Sequence, residues 1–216
     1  MAACGRRPQG AMNCDRIARW YRWLEYAGFG RALKRRRGAF LSDVADARRV
    51  LALGDGDGRA LAALLAAAPD ARVDYIDVSA RMLDLARARA GAKRVAYRND
   101  DARTAPLPAA QYDLIVTHFF LDCFDEMDLE PLIARLADAA SPQARWLVSE
   151  FRGNGWLVRA LYLFFRTATG LRTRRLVDHH PLLKRHGFRL VRQEHAWRGL
   201  LASELWVGDA VMSPNV

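Results

Sequence analysis

Apolar positions along this chain change their spacing repeatedly, and the changes predict its elements. Val50, Leu51, Ala52 and Leu53 form a short apolar run that ends in a glycine-rich turn, and residues 59–68 read as a helix. Residues 72–76 are a second strand. Ser79 stands where a cap belongs, before a helix with Met82, Leu85 and Ala86 on one face. Residues 94–98 and 114–117 are strands three and four, the latter continuously apolar in the manner of buried parallel strands. Leu129, Leu132, Ile133 and Leu136 mark another helix, and residues 145–149 a fifth strand. This β-α alternation predicts a doubly wound α/β fold, with a parallel sheet, helices on both faces and right-handed crossovers.

The two ends and one internal stretch depart from that alternation. Residues 188–194 and 200–207 are strand-like runs around a turn containing Gly199, which predicts a C-terminal antiparallel hairpin. Near the start, Ile17, Trp20, Tyr21 and Leu24 fall at helical spacing until Gly28 and Gly30 interrupt it, predicting an N-terminal helical cap over residues 1–48. The core then spans residues 49–216. A helical insertion at about 156–187 carries Leu157, Leu161, Phe164 and Phe165, followed by Arg172, Arg174 and Arg175.

Composition supports one domain with a real core: 216 residues, 51% apolar and 27% charged. No apolar run reaches the roughly 18 residues of a membrane span. Arg6 and Arg7 precede no apolar leader segment, so the cytoplasm is the expected compartment. Cys4, Cys14 and Cys123 are too few for a disulfide framework and lack zinc-site pairing, so no metal is expected. The formal charge is +10, and of 34 basic residues only Lys34, Lys93 and Lys184 are lysine. Arginine richness fits either a GC-rich genome or an acidic partner, such as nucleic acid or an anionic membrane surface. The basic run at residues 31–37 reads as a solvated helix face or a membrane contact.

The most informative stretch runs from Leu53 through Gly54, Asp55, Gly56, Asp57 and Gly58 into the following helix. Glycines at alternate positions allow a tight turn and a ligand close to the backbone. Asp77 ends the second strand, where a carboxylate accepts hydrogen bonds from both hydroxyls of a ribose. Asp55 and Asp57 would repel a pyrophosphate, so a nucleoside with a cationic or zwitterionic tail fits the turn better.

These residues resemble the class I S-adenosylmethionine-dependent methyltransferases over about residues 50–207. Gly54, Gly56 and Gly58 match the family's first motif, and Asp77 its ribose-binding acid. Asn99, Asp100, Asp101 and Ala102 resemble the motif whose aspartate holds the adenine amino group, with Asp101 the best match. Residues 112–118 resemble the fourth-strand motif that ends beside the sulfonium. The resemblance implies S-adenosylmethionine as cofactor, a seven-stranded sheet with its last strand antiparallel, and a cofactor site of Gly54, Asp55, Gly56, Gly58, Asp77, Val78, Met82, Asp100, Asp101, Ala102, Thr117 and His118. The family often places Glu or Asp two residues before the first glycine, where this chain has Ala52; Asp55 or Asp57 is the available replacement. Residues 117–124 and 149–151 look like strings found in bacterial methyltransferases.

Methyl transfer from a sulfonium asks mainly for alignment, with a base only where the nucleophile carries a proton. His118 is a candidate base or a hydrogen-bonded pocket residue. Asp122 shares a face with it if a helix has begun, and Glu150 after the fifth strand is a second base candidate or a structural ion-pair member. Trp20, Tyr21, Phe119, Phe120, Arg152 and Arg175 are the expected acceptor contacts. The leading expectation is methylation of a small molecule, hydrophobic, aromatic or lipid-like. The alternatives are an RNA methyltransferase and a non-catalytic cofactor-binding protein.

Overall fold

The computed structural model describes residues 31–152 and 176–210. Seven strands form one sheet: β1 (Arg49–Leu53), β2 (Arg72–Ile76), β3 (Val95–Arg98), β4 (Tyr112–His118), β5 (Ala140–Phe151), β6 (Phe188–Ala196) and β7 (Leu201–Gly208). Their order is β3-β2-β1-β4-β5-β7-β6. The first five run parallel, and β7 alone is reversed, pairing antiparallel with both β5 and β6. The doubly wound sheet and its closing hairpin are therefore as the spacing predicted. The order reverses between β1 and β4, which opens a crevice at the carboxyl ends of those strands.

Among the described residues five α-helices flank the sheet: α1 (Ala32–Arg37), α2 (Arg59–Ala67), α3 (Ala80–Ala90), α4 (Glu126–Ala139) and α5 (His180–Arg185). Ser79 caps α3, its Oγ accepting from Met82 N at 3.2 Å, and Asp125 caps α4 through Asp128 N at 3.1 Å. Alternate residues of each strand serve opposite faces. Val50, Ala52, Leu114 and Val116 pack with Leu61, Leu64 and Leu83. Leu51, Leu53, Ile115 and Trp146 pack with Leu132, Ile133, Leu136 and Leu183. Among the described residues no helix is long and apolar enough to cross a membrane.

Two expectations change. The fifth strand is longer than residues 145–149 because it starts directly after α4, passes Pro142 and has Gln143 at φ 61°. The pairing with β4 jumps there between Tyr112 and Leu114. This irregularity accommodates a proline that cannot donate to the ladder. The basic run at residues 31–37 is not one solvated face: Arg37 is buried, and Arg36 pairs with Glu194 at 3.1 Å. The Arg36 carbonyl accepts from both Ser149 Oγ at 3.1 Å and Ser203 Oγ at 2.9 Å. These bonds tie α1 to β5 and β7, and Leu33 packs beside Phe151 and Leu201.

Candidate active site

Gly54, Gly56 and Gly58 all have positive φ, at 61°, 70° and 75°. A side chain at Gly54 would place Cβ 2.2 Å from Phe120 Cδ2, and one at Gly58 would place it 2.6 Å from Ala86 Cα. Glycine is thus required twice by close approach as well as by conformation. The acids of the turn serve the protein itself. Asp55 Oδ2 accepts from Leu61 N at 3.0 Å in the first turn of α2, where a negative group complements the helix dipole. Asp57 is ion-paired with Arg59 at 2.8 Å and with Arg89 at 3.0 Å. Tyr75 Oη donates to the Gly56 carbonyl at 2.8 Å and braces the loop from β2. Asp57 is thereby neutralised by two guanidinium groups, which offsets its share of the expected repulsion of an anion.

Asp77 and Val78 leave the end of β2 half-buried. Asp77 Oδ1 accepts from Ser79 N at 2.8 Å, and its carbonyl accepts from Asn99 Nδ2 at 2.9 Å, which joins the β2 and β3 ends. Asp101 is buried and held by Arg103 at 2.7 Å, while Arg103 also reaches Asp128 at 2.9 Å. Burial works against ionisation of Asp101, but the hydrogen bonds from Arg103 outweigh it and hold the carboxyl below its usual range. Asp100 turns away to Arg98 at 2.9 Å. Met82 and Ala102 are buried in the interior. Thr117 has its Oγ1 occupied by Trp146 Nε1 at 2.9 Å. Sequence reasoning missed Arg103; its only signal was an arginine two residues after the motif acid.

Beyond β4 the chain turns sharply. Phe119 has φ 55°, and a 3-10 turn over Leu121–Cys123 follows. The shared helical face expected of His118 and Asp122 does not form, because α4 begins only after Asp125. His118 is buried with Nδ1 unpartnered among the described residues. Burial, aided by the nearby Arg37 cation, pushes its pKa down to about 3. Near-neutral titration of His118, the ground for reading it as a base, is thereby corrected. Arg37, another residue the sequence concealed, sits 5.0 Å from the Phe119 ring centroid.

Asp122 instead faces Glu150. Glu150 Oε1 accepts from Leu121 N at 2.9 Å and Phe120 N at 3.3 Å, so it also holds the turn after β4. Burial and the Asp122 charge raise its pKa well above the ordinary carboxylate value. A cavity of about 250 Å3 opens on this pair, lined also by Phe151, Arg152, Val177 and His179. Phe119 and Phe120 are half-buried and do not line the cavity; Phe119 packs on Phe151, ring centroids 5.0 Å apart. Arg152 lines the cavity, bound to Glu204. The structure thus brings Gly54 and Phe120 into contact, and joins Phe120 through Glu150 to the cavity. Trp20, Tyr21 and Arg175 lie outside the described residues, as does most of the expected cap and insertion.

A family described as methyltransferase domain matches residues 50–143. No curated protein matches the chain. Among solved structures, the mitomycin 7-O-methyltransferase MmcR superposes with a TM-score of 0.66 at 21% identity, covering 89% of this chain and 59% of its own. Human N-acetylserotonin methyltransferase, solved with S-adenosylmethionine, gives 0.64 at 17% identity, covering 87% of this chain and 55% of its own. The N-methyltransferase NodS from Bradyrhizobium japonicum WM9 gives 0.59 at 17% identity over 82% and 97%. The chain therefore spans little more than half the length of the first two. At these identities the likeness establishes the fold.

Proposed function

We propose that the chain is a class I methyltransferase, as its matched domain and sheet order suggest, and that it methylates a small-molecule acceptor from S-adenosylmethionine. The observation that carries this is the cavity beside the β4 and β5 ends, opening on the buried carboxyl pair Asp122 and Glu150. The residues present fit the cofactor. Gly54 and Gly56 offer a backbone free of Cβ, Asp77 stands where ribose hydroxyls are met, and Asp101 is held ionised for the adenine amino group. S-adenosylmethionine supplies an electrophilic methyl group on sulfonium, so its departure needs no acid.

The protein supplies position and a destination for a proton. Phe151, Leu176 and Val177 form the apolar part of the cavity lining, which accommodates an acceptor with an apolar body. Asp122, whose charge opposes ionisation of Glu150, takes the proton of an acceptor hydroxyl or ammonium group as it becomes nucleophilic. His118, being neutral, lines the end of β4 without adding a charge that would oppose the sulfonium.

Calorimetric titration with S-adenosylmethionine and its demethylated product tests the cofactor; failure of both to bind at millimolar concentration overturns it. Labelled cofactor with a metabolite pool and with RNA, read by mass spectrometry, tests the acceptor. Label in small molecules supports the proposal, and label confined to RNA refutes it. Asp122→Asn should keep cofactor affinity while kcat falls by about 100-fold or more.

A further inference from the structure

At the far edge of the cavity, four segments converge on one buried carboxylate. Glu204 lies on β7, opposite Gln193 of β6 and Val148 of β5, and is 1% exposed. His179 Nε2 stands 2.9 Å from its Oε2 and His180 Nε2 stands 2.8 Å from its Oε1. One imidazole is buried and the other half-buried, and the three ligand atoms lie within 4.8 Å of one another. We propose that His179, His180 and Glu204 form a binding site for a divalent transition-metal ion, with the Arg152 guanidinium as the resident cation that the ion displaces.

Two neutral imidazole nitrogens and one carboxylate oxygen are a donor set that zinc-like ions prefer. The set is held from outside, as metal ligands generally are. Trp206 Nε1 donates to Glu204 Oε2 at 2.8 Å and Gln193 Nε2 to Oε1 at 3.0 Å, which fixes the carboxylate plane. The histidines open α5, anchored by buried Leu182 and Leu183, and Asp178 Oδ1 accepts from His180 N at 3.1 Å. Ligand atoms around a tetrahedral ion at 2.0–2.2 Å stand about 3.3 Å apart. Each histidine would therefore retreat from the carboxylate by about 0.5 Å, within the reach of side-chain rotation.

Arg152 bonds Glu204 Oε1 and abuts His180 Nε2, so an ion and this guanidinium compete for one place. Arg152 and His179 both line the cavity, which gives the arginine somewhere to turn and the ion an open coordination position. Water or an acceptor oxygen fills that position. The expectation of no metal, drawn from cysteine spacing alone, could not register this set, because Glu204 is a single acid inside an apolar strand run.

The inference does not depend on methyl transfer, and its test needs no activity. The full chain, stripped with chelator, is titrated with Co2+ and then Zn2+. One Co2+ per chain with visible ligand-field absorption is expected, displaced by Zn2+, together with a Zn2+-dependent rise in Tm. His179→Ala and His180→Ala should each weaken binding at least tenfold while retaining the native circular dichroism. Arg152→Gln should tighten it. The absence of any Co2+ spectrum overturns the proposal, as does a spectrum that both histidine variants leave intact. Weaker binding in Arg152→Gln refutes the displacement.

Discussion

His118 offers a sharp test because its neutral form is built into the fold. Its imidazole is 3% exposed, lies near the Arg37 cation, and has a pKa of about 3 against an ordinary 6.5. A base with a depressed folded pKa contributes stability that is fully present above 6.5 and lost as pH falls toward 3. Each pH unit across that window removes about 1.4 kcal/mol. Between pH 7 and pH 5 the protein should therefore lose about 2 kcal/mol through this residue alone. His118→Leu removes the titration while keeping an apolar volume, so its loss over the same interval should be smaller by that amount. Urea unfolding of both proteins at the two pH values measures the difference. Asp101 and Glu204 also lose stability in acid, but they do so equally in both proteins. Parallel losses would refute the burial argument, and with it the exclusion of His118 as a base titrating near neutrality.

Glu150 has the opposite sign: its raised pKa stabilises the fold at low pH and the contribution fades from about 4.5 upward, so Glu150→Gln should lose less stability than wild type on going to pH 9. Gly58→Ala forces Cβ against the Ala86 backbone at φ 75° and should cost about 2–4 kcal/mol in unfolding free energy. Gly54→Ala meets the rotatable Phe120 ring first, so it should cost less stability but weaken S-adenosylmethionine binding at least tenfold by calorimetry. Arg103→Gln leaves the buried Asp101 carboxylate without its guanidinium and should destabilise by about 2 kcal/mol in the same unfolding assay.

The strand order was legible because each run is short, apolar and followed by its own helix signal. Val50 to Leu53 and Leu114 to Thr117 are buried on both faces, so continuous apolarity was a sufficient sign. The extension of β5 back to Ala140 was not legible. Pro142 is a strand breaker locally, and only the register jump opposite Tyr112 and Leu114 lets the chain pass it. The glycine turn was readable as a ligand seat because Gly54, Asp77 and Asp101 recur at spacings set by one βαβ path. The destinations of Asp55 and Asp57 were not, since Arg89 stands on another helix and Leu61 N is an orphan donor only once α2 exists.

The same distinction explains the arginine excess. Charge counted along a sequence measures attraction to a partner only when the charges reach solvent, and many here act inside the molecule. Arg94 donates to the carbonyls of Leu65 and Ala68, which terminates α2 without a glycine cap. Arg103 holds Asp101, Arg89 and Arg59 hold Asp57, and Arg152 holds Glu204. In each case a planar fork of donors satisfies buried oxygens that a single ammonium would leave partly unmet. Arginine in place of lysine is thus a packing choice at the described sites. The positive charge acts on the cavity through one residue above all: Arg152, bound to Glu204 at its wall. Whether that guanidinium stays on Glu204 or turns inward decides if the cavity presents an acidic pair alone or an acidic pair facing a cation, and so which acceptors it admits.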